Sequence, residues 1–382
     1  MDEENFQKKI LDFEDKNLSP YAVKNFQARR KWKIPHPFRG PFARDRDHIL
    51  YSGSFRRYIG KTQVIYFAAS FDEQLSNRSI HTLQVSQIAR TIGKALKLNL
   101  DLIEAIALGH DLGHAPFGHD GEEILKEICR KRGIDLFFHN IHSLRIVDDL
   151  ADACRGMNLT FQVRDGILSH DGEINEKHLK PNRNKSEADL TNYCKKKYLG
   201  ENTQIIPATL EGCVVRMSDA ISYLGQDFED AIRIDILKRE MLPKEIKKRL
   251  GEKNTDIIDT LVRDIIINSY DRDETVYSDD VAEKVFKLKN FNIEKIYRNY
   301  KLKKKKEKLR TEFNFLFNKF LDDIKNVDVS SLIYREWIFN RGTNKGEDYV
   351  NNNSPEQVVI DFIASMTDRY FYQACKKYEN DY

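Results

Sequence analysis

The sequence is poor in the residues that mark disulfide-stabilised or membrane-spanning proteins. Its five cysteines among 382 residues are odd in number and form no Cys-X-X-Cys pair, which argues against a disulfide framework or a cysteine metal site. No apolar run approaches the roughly 20 residues needed to cross a bilayer. The first six residues, Met-Asp-Glu-Glu-Asn-Phe, lack the basic and apolar segments of a signal peptide. We therefore expect a cytoplasmic protein with reduced thiols and no membrane partner.

Proline is also scarce, and the charges nearly balance. Nine prolines in the whole chain, together with apolar residues at three- and four-residue spacing, predict a mostly helical protein. Segments of alternating β-branched residues are short, so we expect an all-α fold with little or no β-structure. The net charge of +3 is too small to indicate a nucleic-acid partner by itself.

Histidine and acidic residues, by contrast, are concentrated in one segment. Residues 110–122 contain three histidines and three acids, and His110 and Asp111 are adjacent directly after an apolar predicted helix. Imidazole nitrogen and carboxylate oxygen are ligands that divalent metals prefer. A single histidine at a helix end is more often structural, but burying several titratable groups costs free energy unless each has a partner. The clustering therefore predicts a metal-dependent active site.

Two other predicted helices offer further ligands. His81 shares a helix face with core residues such as Val85 and Ile88, so it can point inward; alone, it would be a core histidine bonded to a carbonyl. The predicted helix over residues 210–233 has an apolar stripe and, opposite it, a polar stripe of Arg216, Asp219, Tyr223, Asp227 and Asp230. A polar stripe suits either solvent or a nucleotide cavity, and the sequence does not decide between them.

Three further segments give coarser predictions. Residues 172–204 are rich in asparagine, lysine and glutamate and predict an exposed loop region beside the site. The basic run over residues 301–310 predicts a solvated helix face in preference to an anionic-ligand site. Residues 356–371 predict the last helix of the chain.

His81, the adjacent His110 and Asp111, and Asp219 follow one another in the order H…HD…D. With them the chain resembles the HD-domain metal phosphohydrolases, and within these the deoxynucleoside triphosphate triphosphohydrolases, the dGTPase-like family. The HD pair alone is a weak signal, but further blocks in the same order make the resemblance specific. These blocks are Arg44-Asp-Arg-Asp47, Ser54-Phe-Arg-Arg57, Lys61-Thr-Gln-Val64, Asn77-Arg78-Ser-Ile-His81, His110 to Glu122, Phe138-His139-Asn140, Val163 to His170, Arg216-Met-Ser-Asp219 and Asp361 to Arg369.

The resemblance implies an organisation for the chain. An N-terminal segment (1–40) would precede an HD-type helical core (41–237), on which a helical C-terminal region (238–382) would pack. The family also implies a homo-oligomer, with a hexamer as the expected size. Residues 238–350 contain no motif that we can match.

The resemblance also implies a metal site and a reaction. The four implied metal ligands are His81, His110, Asp111 and Asp219, and the cofactor would be a divalent ion: Mn²⁺, Mg²⁺ or another transition metal. Such an ion can polarise an α-phosphate oxygen and lower the pKa of a bound water. The implied reaction is attack of water at the α-phosphorus of a dNTP, which gives deoxynucleoside and inorganic triphosphate. dGTP is a candidate for the preferred substrate.

Roles for other residues follow from the same resemblance. His119 matches the catalytic histidine, which Glu122 would orient and charge, and His114 belongs to the same catalytic group. The implied substrate contacts are Arg78 on the α-phosphate, His114 and His139 along the phosphates, Tyr223 against the deoxyribose in place of a 2′-hydroxyl, and Asp227 and Gln63 at the 3′-hydroxyl. For Gln63, an ordinary surface amide is an equally good interpretation.

Two other functions stay open from sequence. The main enzymatic alternative is an HD-type nucleotidase or phosphodiesterase that acts on nucleoside monophosphates or nucleic-acid ends. The alternative from another class is a nucleotide-sensing or single-stranded-DNA-binding protein, in which the basic run and the many tyrosines would supply charge and stacking. The presence of all four implied ligands argues against a degenerate site. A dNTP bound at an allosteric site is a further candidate partner.

Overall fold

Helices account for nearly all the regular structure. The computed structural model describes residues 3–33, 36, 38–63, 77–171 and 177–379. In the first half, the α-helices are α1 (Glu3–Asn17), α2 (Pro41–Leu50), α3 (Gly53–Arg56), α4 (Arg78–Ala95), α5 (Leu100–Gly109), α6 (Gly118–Arg132), α7 (His139–Arg145), α8 (Ala151–Cys154), α9 (Phe161–Ser169) and α10 (Glu187–Tyr198). In the second half, they are α11 (Leu210–Arg233), α12 (Lys244–Leu250), α13 (Asn254–Ser269), α14 (Asp279–Asn292), α15 (Tyr300–Lys325), α16 (Thr343–Asn351), α17 (Pro355–Ser365) and α18 (Asp368–Glu379).

Short segments of other kinds join these helices. Two-residue strands β1 (His178–Leu179) and β2 (Thr275–Val276) pair antiparallel, and they form the one sheet within the described ranges. Wider π-type turns occupy Ile146–Leu150, Ile293–Tyr297 and Ile333–Ile338. The prediction of an all-α fold with little β-structure is confirmed.

Polar residues cap the N-termini of three helices around the histidine segment. The side chains of Asn77, Asn99 and Thr209 accept hydrogen bonds from backbone N–H groups in the first turns of α4, α5 and α11, respectively. Each cap satisfies an N–H group that has no partner within its own helix, which stabilises a helix by about 1 kcal/mol. The three helices that carry the four implied metal ligands therefore have defined starting points.

Helix α11 lies at the centre of the fold. It packs against α4 and α5 on one side and against α9 and α13 on others. Ile221, Leu224 and Phe228 of its apolar stripe are fully buried, and each such side chain contributes about 1.5–3 kcal/mol through removal from water. The buried apolar residues form one cluster that extends from Ala22 to Tyr378. The core thus includes side chains from both ends of the chain.

The C-terminal helices cover the loop that follows α5. Phe313 of α15 lies with its ring centroid 4.4 Å from that of Phe371 in α18 and 6.1 Å from that of Phe117. The carboxylate of Asp368, at the start of α18, accepts hydrogen bonds from the Phe117 N–H (2.9 Å) and from the Thr62 N–H (3.1 Å) and hydroxyl (2.6 Å). The histidine segment is therefore held from its far side by the last helices.

Two sequence predictions about loops and helix ends are wrong. The polar region predicted as an exposed loop contains α10, which starts with a capping box between Ser186 and Asp189; residues 172–176 lie outside the described residues. The predicted last helix is two helices, because Ser365 ends α17 and the backbone of Met366 is extended before α18 begins. The polar composition of the first region gave no indication of α10. The continuous apolar periodicity of the second gave no indication of the break between α17 and α18.

The basic run at the start of α15 pairs in part with acids of α6. Lys306 forms ion pairs with Asp120 (2.9 Å) and Glu123, and Arg310 with Glu127 (2.9 Å). Nothing is described of the Lys301–Lys305 side chains. Lys306 and Arg310 therefore pair with α6, whereas the Lys308 side chain is largely exposed, 3.6 Å from Glu312.

Among the described residues, no helix combines the length and the apolar character that a membrane crossing requires.

The lack of space around Gly113 shows how tightly the histidine segment packs on α7. A methyl group at this position would clash with the backbone of His139 and Ser143, which cannot move aside as a flexible side chain could. We expect Gly113→Ala to lower the free energy of unfolding by about 1–3 kcal/mol, measured by urea denaturation. The control is Gly53→Ala, where a methyl group meets nothing within 4 Å and should change stability by less than about 0.5 kcal/mol. Equal stability of the two variants would contradict the close packing.

Candidate metal centre

Five helices converge on one buried group of histidines and acids. Helix α4 carries Arg78 and His81, α11 carries Asp219, and His110 and Asp111 directly follow α5. His139 is the first residue of α7, and His170 directly follows α9. Of these seven residues, six are buried, and Asp219 is partly buried. Residues that are far apart in sequence thus meet where the ends of four helices face the middle of α11.

The four implied ligands, which we call the four-donor group (His81, His110, Asp111 and Asp219), lie within a few ångströms of one another. The His81 Nε2 atom is 3.0 Å from Asp219 Oδ1 and 3.8 Å from Asp111 Oδ2. The His110 Nε2 atom is 3.4 Å from Asp111 Oδ1 and 3.8 Å from Asp219 Oδ1. The structure therefore brings together the residues that the sequence singled out.

The hydrogen bonds of two histidines fix which nitrogen faces the acids. His110 Nδ1 is 2.7 Å from the Ala107 carbonyl oxygen, which can only accept, so Nδ1 carries the proton. Ser222 donates its hydroxyl to the Asp219 carbonyl (2.7 Å) and so accepts from His81 Nδ1 (3.0 Å). Both Nε2 atoms are then free to act as ligands, and the buried His110 Nε2 has no hydrogen-bond partner among the described residues. This donor set fits a divalent metal ion.

The surrounding charges keep the acids ionised, as metal ligands must be. Burial alone would raise the pKa of Asp111, but His110, Arg78 and His114 outweigh it and hold that pKa well below its usual value. For Asp219, burial is likewise outweighed, chiefly by the close contact with the His81 imidazole, and its pKa is lowered. Arg78 donates directly to the Asp111 carboxylate from its Nη1 atom.

A second cluster borders the first. His114, Glu122 and His139 are buried, and the His114 and His139 rings stack with centroids 4.0 Å apart. His139 Nδ1 is 2.9 Å from Glu122 Oε2. Burial opposes the charged form of His139, but the Glu122 carboxylate outweighs this and raises the pKa of His139 to about 9. Glu122 is thus the partner of His139.

The His119 side chain lies beside this cluster but is not hydrogen-bonded to Glu122. It is exposed, and its ring stacks on that of His114 with centroids 5.3 Å apart. The hydrogen bonds described for Glu122 come from the side chain and the backbone N–H of His139 and not from His119. The Glu122 carboxylate is therefore hydrogen-bonded to α7, and its role in orienting and charging His119 stays a prediction.

The polar stripe of α11 does not face solvent. Arg216, Asp227 and Asp230 are buried, and Tyr223 is half-buried. The Tyr297 hydroxyl donates to Asp227 Oδ2, and burial raises the pKa of Asp227 to about 7. The stripe is therefore largely withdrawn from solvent, and its role in lining a nucleotide cavity stays a prediction.

Gln63 and Arg78 are buried and carry polar side-chain atoms without partners among the described residues. Gln63 is 8% exposed, so the interpretation as a surface amide is wrong, and its Oε1 atom has no hydrogen-bond partner among the described residues. The Nε and Nη2 atoms of Arg78 are also buried without partners there. Val64, which follows Gln63 in its sequence block, lies outside the described residues.

Sequence reasoning assigned no role to two residues at the site. His170 Nε2 lies 3.2 Å from His139 Nε2 and 3.7 Å from Asp111 Oδ1. Tyr297 reaches Asp227 from the segment after α14, a region without a matched motif. His170 ends the sequence block Val163 to His170. Its position directly after an apolar helix, like that of His110, could have identified it as a site residue. Tyr297 gave none.

Comparisons with known proteins agree with this architecture. Residues 78–224 match the HD domain, and residues 275–377 match the phosphohydrolase-associated domain. A "Deoxyguanosinetriphosphate triphosphohydrolase-like protein" of Caldanaerobacter subterraneus is 39% identical over 94% of this chain and 91% of its own length. Relatives with the same name are 36% identical in Desulfatibacillum aliphaticivorans, over 96% and 95% of the two chains, and 33% identical in Clostridium tetani, over 97% and 95%.

The fold, the clustered histidines and acids, and the HD match define a metal-dependent phosphohydrolase of the HD-domain class. Within that class, the chain belongs to the deoxyguanosinetriphosphate triphosphohydrolase-like family, which its near full-length identity to these relatives establishes.

Replacement of His110 tests the four-donor group. We expect His110→Gln to lower the divalent metal bound per chain, because it removes the donor whose Nε2 has no other partner. Elemental analysis of the purified protein would measure the change. His142→Gln is the matched control, since His142 is equally buried but lies beside Asp361 instead of the acids of this group. Unchanged metal in His110→Gln would contradict the ligand assignment.

Proposed function

We propose that the protein hydrolyses deoxynucleoside triphosphates at the α-phosphorus and releases deoxynucleoside and inorganic triphosphate. The observation that best supports this is the continuity of the four-donor group with a candidate sugar site. Tyr223 and Asp227 lie one and two helical turns beyond Asp219 along α11, and both are withdrawn from solvent. The names of the relatives make dGTP the first substrate to test.

Arg78 is suited to the α-phosphate. Its side chain is 1% exposed, and two of its nitrogens have no hydrogen-bond partner among the described residues. Leaving buried N–H groups unpaired costs about 1–3 kcal/mol each, more for a charged group. Phosphate oxygens would offset this cost by accepting charge-assisted hydrogen bonds from the guanidinium. The ion pair with Asp111 holds Arg78 beside the four-donor group.

The chemistry combines a metal ion with proton transfer by histidine. The four-donor group would hold a divalent ion, with Mn²⁺ and Mg²⁺ as the first candidates, and that ion would supply Lewis-acid chemistry at the phosphate. We assign proton transfer at the reacting centre to His119, whose exposed ring at the start of α6 is accessible to substrate. His114, whose ring stacks on those of both His119 and His139, would line the phosphates with His139.

Discrimination of the sugar would come from α11 and from Gln63. The Tyr223 ring would pack against the deoxyribose and leave no space for a 2′-hydroxyl. Asp227 would accept from the 3′-hydroxyl, with Tyr297 holding the carboxylate from its other side. The unpartnered Oε1 atom of Gln63 supplies a second acceptor for the same hydroxyl.

Product analysis tests the reaction directly. The purified protein would be incubated with each of the four dNTPs, and with GTP, in Mn²⁺ or Mg²⁺. We expect deoxynucleoside and intact triphosphate from a dNTP, and little turnover of GTP because its 2′-hydroxyl meets Tyr223. Mixtures of dNTPs would follow if no single dNTP turns over, to detect activation by a second nucleotide. Monophosphate with pyrophosphate, or free phosphate, would contradict attack at the α-phosphorus and favour another HD phosphohydrolase activity.

His119→Ala separates catalysis from binding. We expect the variant to retain bound metal and nucleotide while kcat falls about 10²–10⁴-fold, the usual contribution of general acid–base catalysis. Metal content and nucleotide affinity would be measured beside kcat. His178→Ala, which removes another exposed histidine in β1, should leave kcat unchanged. A loss of metal in His119→Ala would make His119 a ligand and exclude the proposed role.

A further inference from the structure

A cavity of about 730 Å³ opens beside α7, and no residue of the four-donor group lines it. Its walls come from three parts of the chain, residues 47–57, 142–157 and 336–365. The second of these parts lies within the HD domain, and the third lies within the phosphohydrolase-associated domain. The cavity is therefore enclosed where the two matched regions meet.

Two arginine side chains line this cavity without a carboxylate partner among the described residues. The half-buried Arg57 donates to the Ser54 hydroxyl (3.0 Å). Arg341 is 7% exposed and donates to the Leu150 carbonyl (3.0 Å), but its Nε atom has no hydrogen-bond partner in the described part of the chain. Burial and the nearby charge of Arg341 lower the pKa of Arg57 to about 10, so both groups are charged at neutral pH. Two positive charges thus lie close together in a partly enclosed space.

The acids that line the cavity do not neutralise these charges, because each already has another partner. The pairs are Asp361 with Arg145 (2.7 Å), Asp47 with Arg39 (2.8 Å), Asp152 with Arg155 (2.7 Å), and Glu336 with the Tyr370 hydroxyl (2.6 Å). The charge left without a counter-ion in the cavity is therefore positive. Buried charges of this kind are paired in most proteins, and an anion would supply the missing partner.

The imidazole of His142 adds a further polar group to the cavity. It is 4% exposed, and its Nε2 atom has no hydrogen-bond partner among the described residues. Burial outweighs the nearby Asp361 carboxylate and lowers the pKa of His142 to about 4, so the ring is neutral. A neutral imidazole can carry its proton on either nitrogen, which allows Nε2 to donate to an anion.

The cavity wall also contains a strained turn, Asp152–Cys154. The φ angles of Asp152, Ala153 and Cys154 are 49°, 53° and 65°, a left-handed conformation that is unfavourable for residues other than glycine. Arg341 Nη1 donates on both sides of this turn, to the Leu150 carbonyl and to Cys154 Sγ (2.8 Å). Backbone strain persists where surrounding contacts enforce it, and it is concentrated at functional sites. The arginine with the unpartnered Nε atom therefore also holds this wall in shape.

We propose that the cavity binds a phosphate oxyanion between Arg57 and Arg341, with His142 as a further donor. Guanidinium groups suit this ligand, because their N–H groups pair with phosphate oxygens in charge-assisted hydrogen bonds. The volume of about 730 Å³ accommodates inorganic phosphate, a polyphosphate or the phosphates of a nucleotide. The site rests on the cavity alone, whereas triphosphate released by this protein as a source of the anion rests on the proposed function.

Titration with inorganic triphosphate tests the site. The full chain, without added divalent metal, would be titrated by isothermal titration calorimetry. We expect Arg57→Gln and Arg341→Gln each to raise the Kd at least about tenfold, because each removes a charged donor. Arg78→Gln, which changes the candidate α-phosphate contact at the metal centre, should retain this binding. Arg155→Gln is the matched control, since that arginine is largely exposed beside the strained turn and does not line the cavity.

Inorganic phosphate and dGTP, titrated in parallel, distinguish the sources of the anion. Triphosphate that binds as tightly as dGTP would assign recognition to the phosphates alone, whereas tighter binding of dGTP that Arg57→Gln weakens would assign a nucleotide. Both results support the site.

Three results would overturn the proposal. These are no binding of any of the three anions, binding that Arg78→Gln abolishes and Arg57→Gln leaves intact, and equal weakening by Arg155→Gln. Arg341→Gln can destabilise the strained turn, so thermal unfolding would check each variant, and the half-buried Arg57 gives the decisive comparison. Triphosphate release from a dNTP without anion binding at Arg57 would remove this site and keep the proposed function. Binding at Arg57 by a protein that releases another product would do the reverse.

Discussion

The buried carboxylate of Asp111 is the group on which the rest of the site depends. It is 3% exposed, and removing an isolated carboxylate from water costs several kcal/mol even after relaxation. Arg78, at the start of α4, offsets this cost by donating to the carboxylate, and the imidazoles of His110, His114 and His170 lie 3.4, 3.3 and 3.7 Å from it. The packing of these helix ends therefore depends on the negative charge of the Asp111 carboxylate. A carboxylate that attracts so many donors is also available to a cation.

Much of this arrangement could be predicted from sequence, because its signals are local. Helix α11 has the predicted bounds, and the four-donor group was identified from spacing, helix faces and resemblance. The structure bears out their convergence, while their roles stay predictions. The pairing of Glu122 with His139 could not be predicted, because it depends on the angle between α6 and α7. His170 and Tyr297 were missed for the same reason, since long-range packing brings each to its partner.

The tautomers of the histidines show how backbone geometry selects chemistry. The carbonyls of Ala107 and Ile167 each accept from the Nδ1 atom of the histidine three residues further along. A helix end leaves its last carbonyls without partners in the helix, so a histidine placed just after the end satisfies one of them. The same hydrogen bond turns Nε2 inward. Helices α5 and α9 therefore end in the same way, and each end produces an oriented donor.

Phe117 has a φ of 62°, a left-handed conformation that is unfavourable for a bulky side chain. Its N–H is held by Asp368, and its ring packs on Phe313, Phe371 and Tyr372. These partners all belong to the phosphohydrolase-associated domain, whereas Phe117 lies within the HD domain, two residues before His119. The two matched regions are consequently one cooperative unit at this point. An HD domain cut from the chain would lose the contacts that hold the loop before His119 in shape, so the boundary between the two matched regions in sequence is not a boundary at which the chain can be divided.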